Sequence, residues 1–190
     1  MKDDEAGAVM RLHVELLARN VLVRPDDTAY VWNGDPVSWR ELERAAAQLA
    51  GGLIELGLCQ GDHVVTLLPH GRADVELAFA TARVGMTRMQ VDGRLAKRAI
   101  GAAIRSARPN AVVVDALNAG SLRSVLRRSG ASVFIAHGMG ADLPPVWFDY
   151  DELRDFSPAW PGRVLPAMSR LAGLESVDPE ASVASGSIIC

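Results

Sequence analysis

Few residues in this sequence are placed to do chemistry. His70 follows the run His63-Val64-Val65-Thr66-Leu67-Leu68. A histidine there could act as a general base, because imidazole titrates near neutrality. The sequence puts no Ser, Cys or acidic partner beside it, so a polar residue helping to start the next helix is the simpler reading. Asp92-Gly93-Arg94 follows a second β-prone run, Thr87–Val91. Its carboxylate could meet a ribose or a cation, although a turn with a carboxylate at a helix entry is simpler. Arg123, Arg127 and Arg128 form a basic strip, with Lys97, Arg105 and Arg108 on the preceding helix. These cations could meet phosphates or an acidic partner. A solvated helix face with its cations near the helix C-terminus accounts for them as well. Ser182-Val183-Ala184-Ser185-Gly186-Ser187 is small and hydroxyl-rich. Such a loop can offer N–H groups and hydroxyls to a phosphate, or be only a frayed tail. No Gly-x-Gly-x-x-Gly follows the first buried strand, so a dinucleotide site lacks its fingerprint.

These residues must be held by a scaffold, and the pattern of the chain predicts one. Its 190 residues suit a single domain. Hydrophobic residues are 49% and charged residues 23% of the chain, which is globular usage. The net charge of -3 argues against an electrostatically driven nucleic-acid binder, and 5% aromatic residues are too few for a stacking platform. Two cysteines, Cys59 and Cys190, give neither a disulfide framework nor a zinc spacing, and fit a reducing cytoplasm. The acidic start carries no signal peptide, and no apolar run is long enough to span a membrane.

The first apolar stretch, Ala8 to Val23, carries Val9, Leu12, Leu16 and Leu17 near helical spacing and is ended by Pro25-Asp26-Asp27. Asn33-Gly34 predicts a hairpin between Thr28–Trp32 and Pro36-Val37. Ser38-Trp39-Arg40-Glu41 is a capping box that starts a helix ending at Gly57. Gly51-Gly52 inside it costs about 1 kcal/mol per glycine relative to Ala, so a closely approaching backbone is expected there. Strands are predicted near Val64–Leu68, Thr87–Val91, Ala111–Val114 and Ala131–Ala136. Helices are predicted over Asp74–Val84, Leu95–Ala107 and Ser121–Arg128, with an edge strand near Val146-Trp147-Phe148 and a short helix at Asp151-Glu152-Leu153. Strands alternating with helices indicate an α/β fold, a parallel or mixed sheet with helices on both faces.

In order and spacing these segments resemble the opening of the adenylate-forming (AMP-binding) ligase superfamily, in particular acyl-CoA synthetase-like enzymes. Pro25-Asp26-Asp27-Thr28-Ala29, Val37-Ser38-Trp39-Arg40-Glu41-Leu42, Leu49-Ala50 through Leu58, Gly61-Asp62-His63 through His70, Val84-Gly85-Met86 and Asp92-Gly93-Arg94-Leu95 each resemble a piece of that opening. His70 stands where the family usually has Asn. The resemblance implies the first subdomain of such a ligase. Residues 1–24 would be an N-terminal helix, 25–156 an α/β subdomain, 157–179 an irregular linker and 180–190 a truncated phosphate-loop strand. The parent reaction joins ATP and a carboxylate into an acyl-adenylate and then a thioester, using ATP, Mg and CoA. Ser185, Gly186 and Ser187 resemble the core of the family's phosphate loop. Ile188-Ile189-Cys190 then departs from it, where a second hydroxyl and a Pro-Lys-Gly should follow. The resemblance therefore implies a catalytically inactive N-terminal fragment that binds no cofactor alone. The alternative is a stand-alone binding or scaffolding module with the same fold. A homodimer or the missing remainder of the ligase is the expected partner, with Val146, Trp147, Phe148, Leu165, Leu171, Ile188 and Ile189 as the exposed apolar candidates.

Overall fold

His63, Val64, Val65, Thr66 and Leu67 form a strand whose last four residues are buried on both sides. Such a strand must lie at the centre of a sheet that is covered twice. In the computed structural model, which describes residues 2–144 and 147–155, that is its position. The strands in chain order are β1 (Thr28–Trp32), β2 (Asp35–Ser38), β3 (His63–Leu67), β4 (Thr87–Gln90), β5 (Ala111–Asp115), β6 (Val133–His137) and β7 (Phe148–Asp149). The helices are α1 (Lys2–Val23), α2 (Trp39–Glu55), α3 (Arg72–Val84), α4 (Lys97–Ala107), α5 (Ala116–Ser121), α6 (Arg123–Leu126) and α7 (Tyr150–Arg154). β3 to β7 make one sheet in the spatial order β4-β3-β5-β6-β7, every neighbouring pair parallel. β1 and β2 form a separate antiparallel hairpin, turned at Asn33 (φ 53°) and Gly34 (φ 91°).

The sheet's period of two divides the core. Val64, Val113 and Ile135 face α2, α3 and α7, where Leu49, Leu53, Leu77, Ala80 and Leu153 meet them. Val65, Val112 and Val114 face the other way, onto Ile100 and Ile104 of α4 and Leu126 of α6. Each fully buried Val or Leu contributes about 1.5–3 kcal/mol relative to exposure, so both layers are needed to hold β3 and β5 dry. A further cluster joins Leu17 of α1 to Leu42, Ala46 and Phe79, so α1 covers α2 and α3 from outside.

Local chemistry explains the boundaries of α2. Ser38 accepts the Glu41 N–H, and Glu41 in turn accepts the Ser38 N–H at 2.8 Å, which completes the capping box. Gly57 closes the helix at φ +84°. Inside α2 the expected close approach is present: a Cβ on Gly52 would lie 2.9 Å from Leu153 Cδ2 and 3.3 Å from the Leu153 carbonyl oxygen.

α1 runs from Lys2 to Val23; of its apolar residues Val14, Leu17 and Ala18 are buried, while Leu12 and Leu16 are exposed. Only one stripe of an amphipathic helix can face α2 and α3. Two expectations are corrected. The helix expected over Ser121–Arg128 is two short helices, α5 and α6, meeting at Leu122. The Asp115 carboxylate caps the Asn118 N–H and starts α5 earlier. Of the apolar candidates, Phe148 is exposed, but Trp147 is half-buried and stacks on Phe134 with centroids 5.4 Å apart. Val146, Leu165, Leu171, Ile188 and Ile189 lie outside the described residues.

Candidate functional site

A parallel sheet of this order reverses direction between β3 and β5, because the connection from β3 runs outward to β4 and the next returns past it. The two helices beside that gap lie on opposite faces, so a crevice opens at the carboxyl ends of the strands. The structure has such a crevice, about 530 Å³, lined by the segments after β3 (Leu67–His70), β4 (Gln90–Arg94) and β5 (Asp115–Asn118). The two residues singled out after strands, His70 and Asp92, thus line one cavity.

Neither has the company a reaction would need. The His70 side chain is exposed, its Nδ1 3.5 Å from an Asp74 carboxylate oxygen. The carboxylate could orient the ring, yet no Ser, Cys or Thr lines the crevice for it to activate. Asp92 is held by its neighbour: Arg94 Nη2 donates to Oδ2 at 2.9 Å and the Arg94 N–H donates to Oδ1 at 2.9 Å. These bonds, side-chain first, lower its pKa from 3.8 to about 2. The pair is exposed, so the geometry is that of a tight turn.

Sequence reasoning missed the residues that give the crevice its floor. Asn118 is buried and donates from Nδ2 to the Leu67 carbonyl at 3.2 Å, tying α5 to the end of β3. Gly93 lies against it so closely that a Cβ would stand 2.4 Å from Asn118 Nδ2. An Asp three residues before Asn is an N-cap signal, which could have revealed this start in the sequence.

A second cavity of about 250 Å³ opens on the other side of β3, between Trp32, the start of α3, His137 and α7. The buried Glu76 forms its floor. Arg72 Nε donates to Glu76 Oε1 at 2.7 Å and Arg154 Nε donates to Oε2 at 2.9 Å. Burial, and then the charge of Glu76, push the Tyr150 hydroxyl far above its usual pKa; it stays protonated and donates to the Ala73 carbonyl at 3.0 Å. Arg72 and Glu76 have helical i,i+4 spacing, but Arg154 comes from 78 residues away, beyond any local pattern. Beside this cavity the buried Asp74 accepts from Arg88 Nη1 at 2.6 Å, fixing α3 to β4.

The cations of the basic strip, Lys97, Arg105, Arg108, Arg123, Arg127 and Arg128, are all exposed, and none lines either cavity. Ser185, Gly186 and Ser187 lie outside the described residues. Among the described residues no group of three His, Cys, Asp or Glu could hold a metal ion. The arrangement at the carboxyl ends can bind and orient a ligand. Among the described residues it contains no nucleophile paired with a base.

Known proteins resemble this chain in sequence and in fold. An acetyl-coenzyme A synthetase of Citrobacter koseri is 30% identical over 101 residues, 50% of this chain and 16% of the relative. A 2-succinylbenzoate–CoA ligase of Listeria monocytogenes is 30% identical over 98 residues, 52% of this chain and 21% of the relative. Among solved structures, a long-chain-fatty-acid CoA ligase of Rhodopseudomonas palustris superposes with a TM-score of 0.68 at 26% identity, covering 75% of this chain and 36% of that one. The acetoacetyl-CoA synthetase of Streptomyces lividans gives 0.67 at 25% identity, covering 77% of this chain and 25% of that one. The chain thus spans a minor, N-terminal part of these ligases. The sequence model for AMP-binding enzymes matches residues 17–154, which run from α1 through the whole five-stranded sheet to α7; the chain belongs to the AMP-binding enzyme family.

Proposed function

We propose that these residues form the first α/β subdomain of an acyl-CoA synthetase-like, AMP-forming ligase and are catalytically silent by themselves. The single observation that carries the reading is the parallel sheet β4-β3-β5-β6-β7 within the matched span, with a crevice at its carboxyl ends that holds binding groups but no reacting pair. The parent reaction transfers AMP from ATP to a carboxylate with loss of pyrophosphate, then passes the acyl group to CoA. Such a step needs cations placed where charge develops on the transferring phosphoryl group. In the crevice the guanidinium of Arg94 is already committed to Asp92. Ser185, Gly186 and Ser187 are proposed as the edge of a phosphate loop that offers hydroxyl and N–H donors, and the acyl group would be chosen by other parts of a ligase.

A cytoplasmic location belongs to the same reading. No described helix is long and apolar enough to cross a membrane. The second reading, a stand-alone scaffolding module, is favoured only by the buried apolar cluster on each face of the central strands β3 and β5. ATP–pyrophosphate exchange tests the first. The 190-residue chain is expected to give no exchange with acetate or longer carboxylates. Exchange above background in pure protein, abolished by Ser185→Ala, would overturn the silence.

A further inference from the structure

Charge is distributed unevenly along the chain. Residues 94–141 contain eight of the 20 Lys and Arg but one of the 23 Asp and Glu, which leaves twelve cations against 22 carboxylates elsewhere. The fold gathers this excess on one side of the sheet. Lys97, Arg98 and Arg105 lie on α4, Arg108 closes it, and Arg123, Arg127 and Arg128 lie on and just after α6. All seven are exposed. None has an ion-pair partner among the described residues, whereas Arg40, Arg72, Arg83, Arg88, Arg94 and Arg154 each have one.

The two helices present one surface. α4 and α6 meet at Gly101, where a Cβ would stand 3.3 Å from Val125 Cγ1 and 3.2 Å from Arg105 Nη1. The glycine therefore lets Arg105 lie over the seam between the helices and links the cations of α4 to those of α6. Arg98 and Arg105 are seven residues apart, two turns, and so share a stripe on α4. The single carboxylate of the segment, Asp115, is occupied in capping α5.

We propose that the α4–α6 face docks an acidic segment of a partner protein, its Asp and Glu side chains meeting the Arg105–Arg127–Arg128 cluster. Six of the seven cations are Arg, the side chain that receives carboxylates bidentately. Two other polyanions fit the face less well. A membrane surface needs large apolar side chains among the cations, and α4 and α6 expose none. A nucleic acid spreads its charge over tens of ångströms, so it would also meet the surplus of carboxylates elsewhere on the chain, and residues 93–133 contain no aromatic ring for stacking.

The test uses the full chain and a fluorescent Glu-rich peptide, with its Gln-for-Glu counterpart as the neutral control. The Glu-rich peptide should bind and the neutral one should not. Binding should be lost as sodium chloride rises from about 50 mM to about 500 mM, where the Debye length falls below roughly 5 Å. Arg105→Glu/Arg127→Glu/Arg128→Glu should weaken binding at least about tenfold, while Arg44→Glu, an exposed change on α2, should leave it unchanged. If the reversed variant loses its far-UV circular dichroism, the Gln triple variant reads the same quantity with less repulsion. No binding at low salt, an equal loss with Arg44→Glu, or tighter binding of duplex DNA or phosphatidylserine vesicles would overturn the proposal.

Discussion

Glu76, on the side of the sheet covered by α2, α3 and α7, is 1% exposed between two arginines. On the opposite side, seven cations of the α4–α6 region are exposed, with no ion-pair partner among the described residues. The difference follows from layering. α2 and α3 lie between the sheet and α1, so a charge that enters this region leaves water and must find its counter-charge inside the fold. The outward positions of α4 and α6 are exposed, and a cation there keeps its hydration. Both sides of the sheet are covered, but α2 and α3 are themselves covered by α1, whereas the outer positions of α4 and α6 face water.

The largest expected effect comes from stripping the interior charge of its partners. Arg72→Met with Arg154→Met leaves the Glu76 carboxylate buried and uncompensated, which should cost about 3–5 kcal/mol in denaturant unfolding. Reversing Arg105, Arg127 and Arg128 on the other side should shift stability by no more than about 0.5 kcal/mol each. Equal losses on the two sides would break the comparison.

Two helical glycines sharpen it. At Gly52 a new Cβ meets the Cβ and the carbonyl oxygen of Leu153 within 3.3 Å, atoms that cannot yield without moving α7. Gly52→Ala should therefore cost about 1–3 kcal/mol from overpacking, even after the better helix propensity of Ala. At Gly101 the tightest neighbour is the tip of Arg105, which can swing into solvent. Gly101→Ala should be neutral or should stabilise by up to about 1 kcal/mol. Thermal melts of the two variants measure the contrast directly, and a loss at Gly101 as large as at Gly52 would show α4 packed as tightly as α2.

How much of this is legible in the sequence depends on the range of the interaction. The capping box at Ser38, the Asn33-Gly34 hairpin and the stop at Gly57 are set within a few residues, and the sequence predicts them correctly. β3, β5 and β6 are visible because a strand buried on both faces must be apolar throughout. The helical spacing of Leu12, Leu16 and Leu17 does not say which of them is covered; α2 and α3 settle it by burying Leu17 and leaving Leu12 and Leu16 exposed. The break at Leu122 was missed because Asp115, which caps the start of α5, was not read as a helix start. His70 and Asp92 were correctly placed at strand ends, but the residues that floor the cavities were hidden. Arg154 reaches Glu76 and Asn118 reaches Leu67 only after the chain has closed on itself. The basic strip was plain in the sequence; that it finds no ion-pair partner among the described residues is read only from the fold.

Helix starts give a smaller effect on the same contrast. α2 begins at a Ser38 with both halves of a capping box, and α4 begins at Ala96 with no side-chain cap. Ser38→Ala should cost about 1 kcal/mol and Ala96→Ser should gain a comparable amount, since Ala96 already has extended backbone (φ -57°, ψ 139°). Chemical denaturation of the two variants reads both signs. If Ala96→Ser gains nothing, the start of α4 is stabilised by something other than its backbone.

The smallest effect concerns an exposed charge at the carboxyl edge, where interior and surface meet. Arg94 holds the Asp92 carboxyl at about 2, against an ordinary value of 3.8. The folded pKa lies below the unfolded one, so the pair favours the folded state above about pH 4, and that contribution is lost as pH falls through about 2. Because both partners are in water, the loss should scarcely move the melting temperature, and the measurement must be local. The carboxyl carbon shift of Asp92 should titrate with a midpoint near 2, and Arg94→Ala should raise it toward 3.8. A wild-type midpoint already near the ordinary value, unmoved by Arg94→Ala, would mean that the turn is loose in solution. Asp92 and Arg94 would then both be free to meet a ligand in the crevice between β3 and β5.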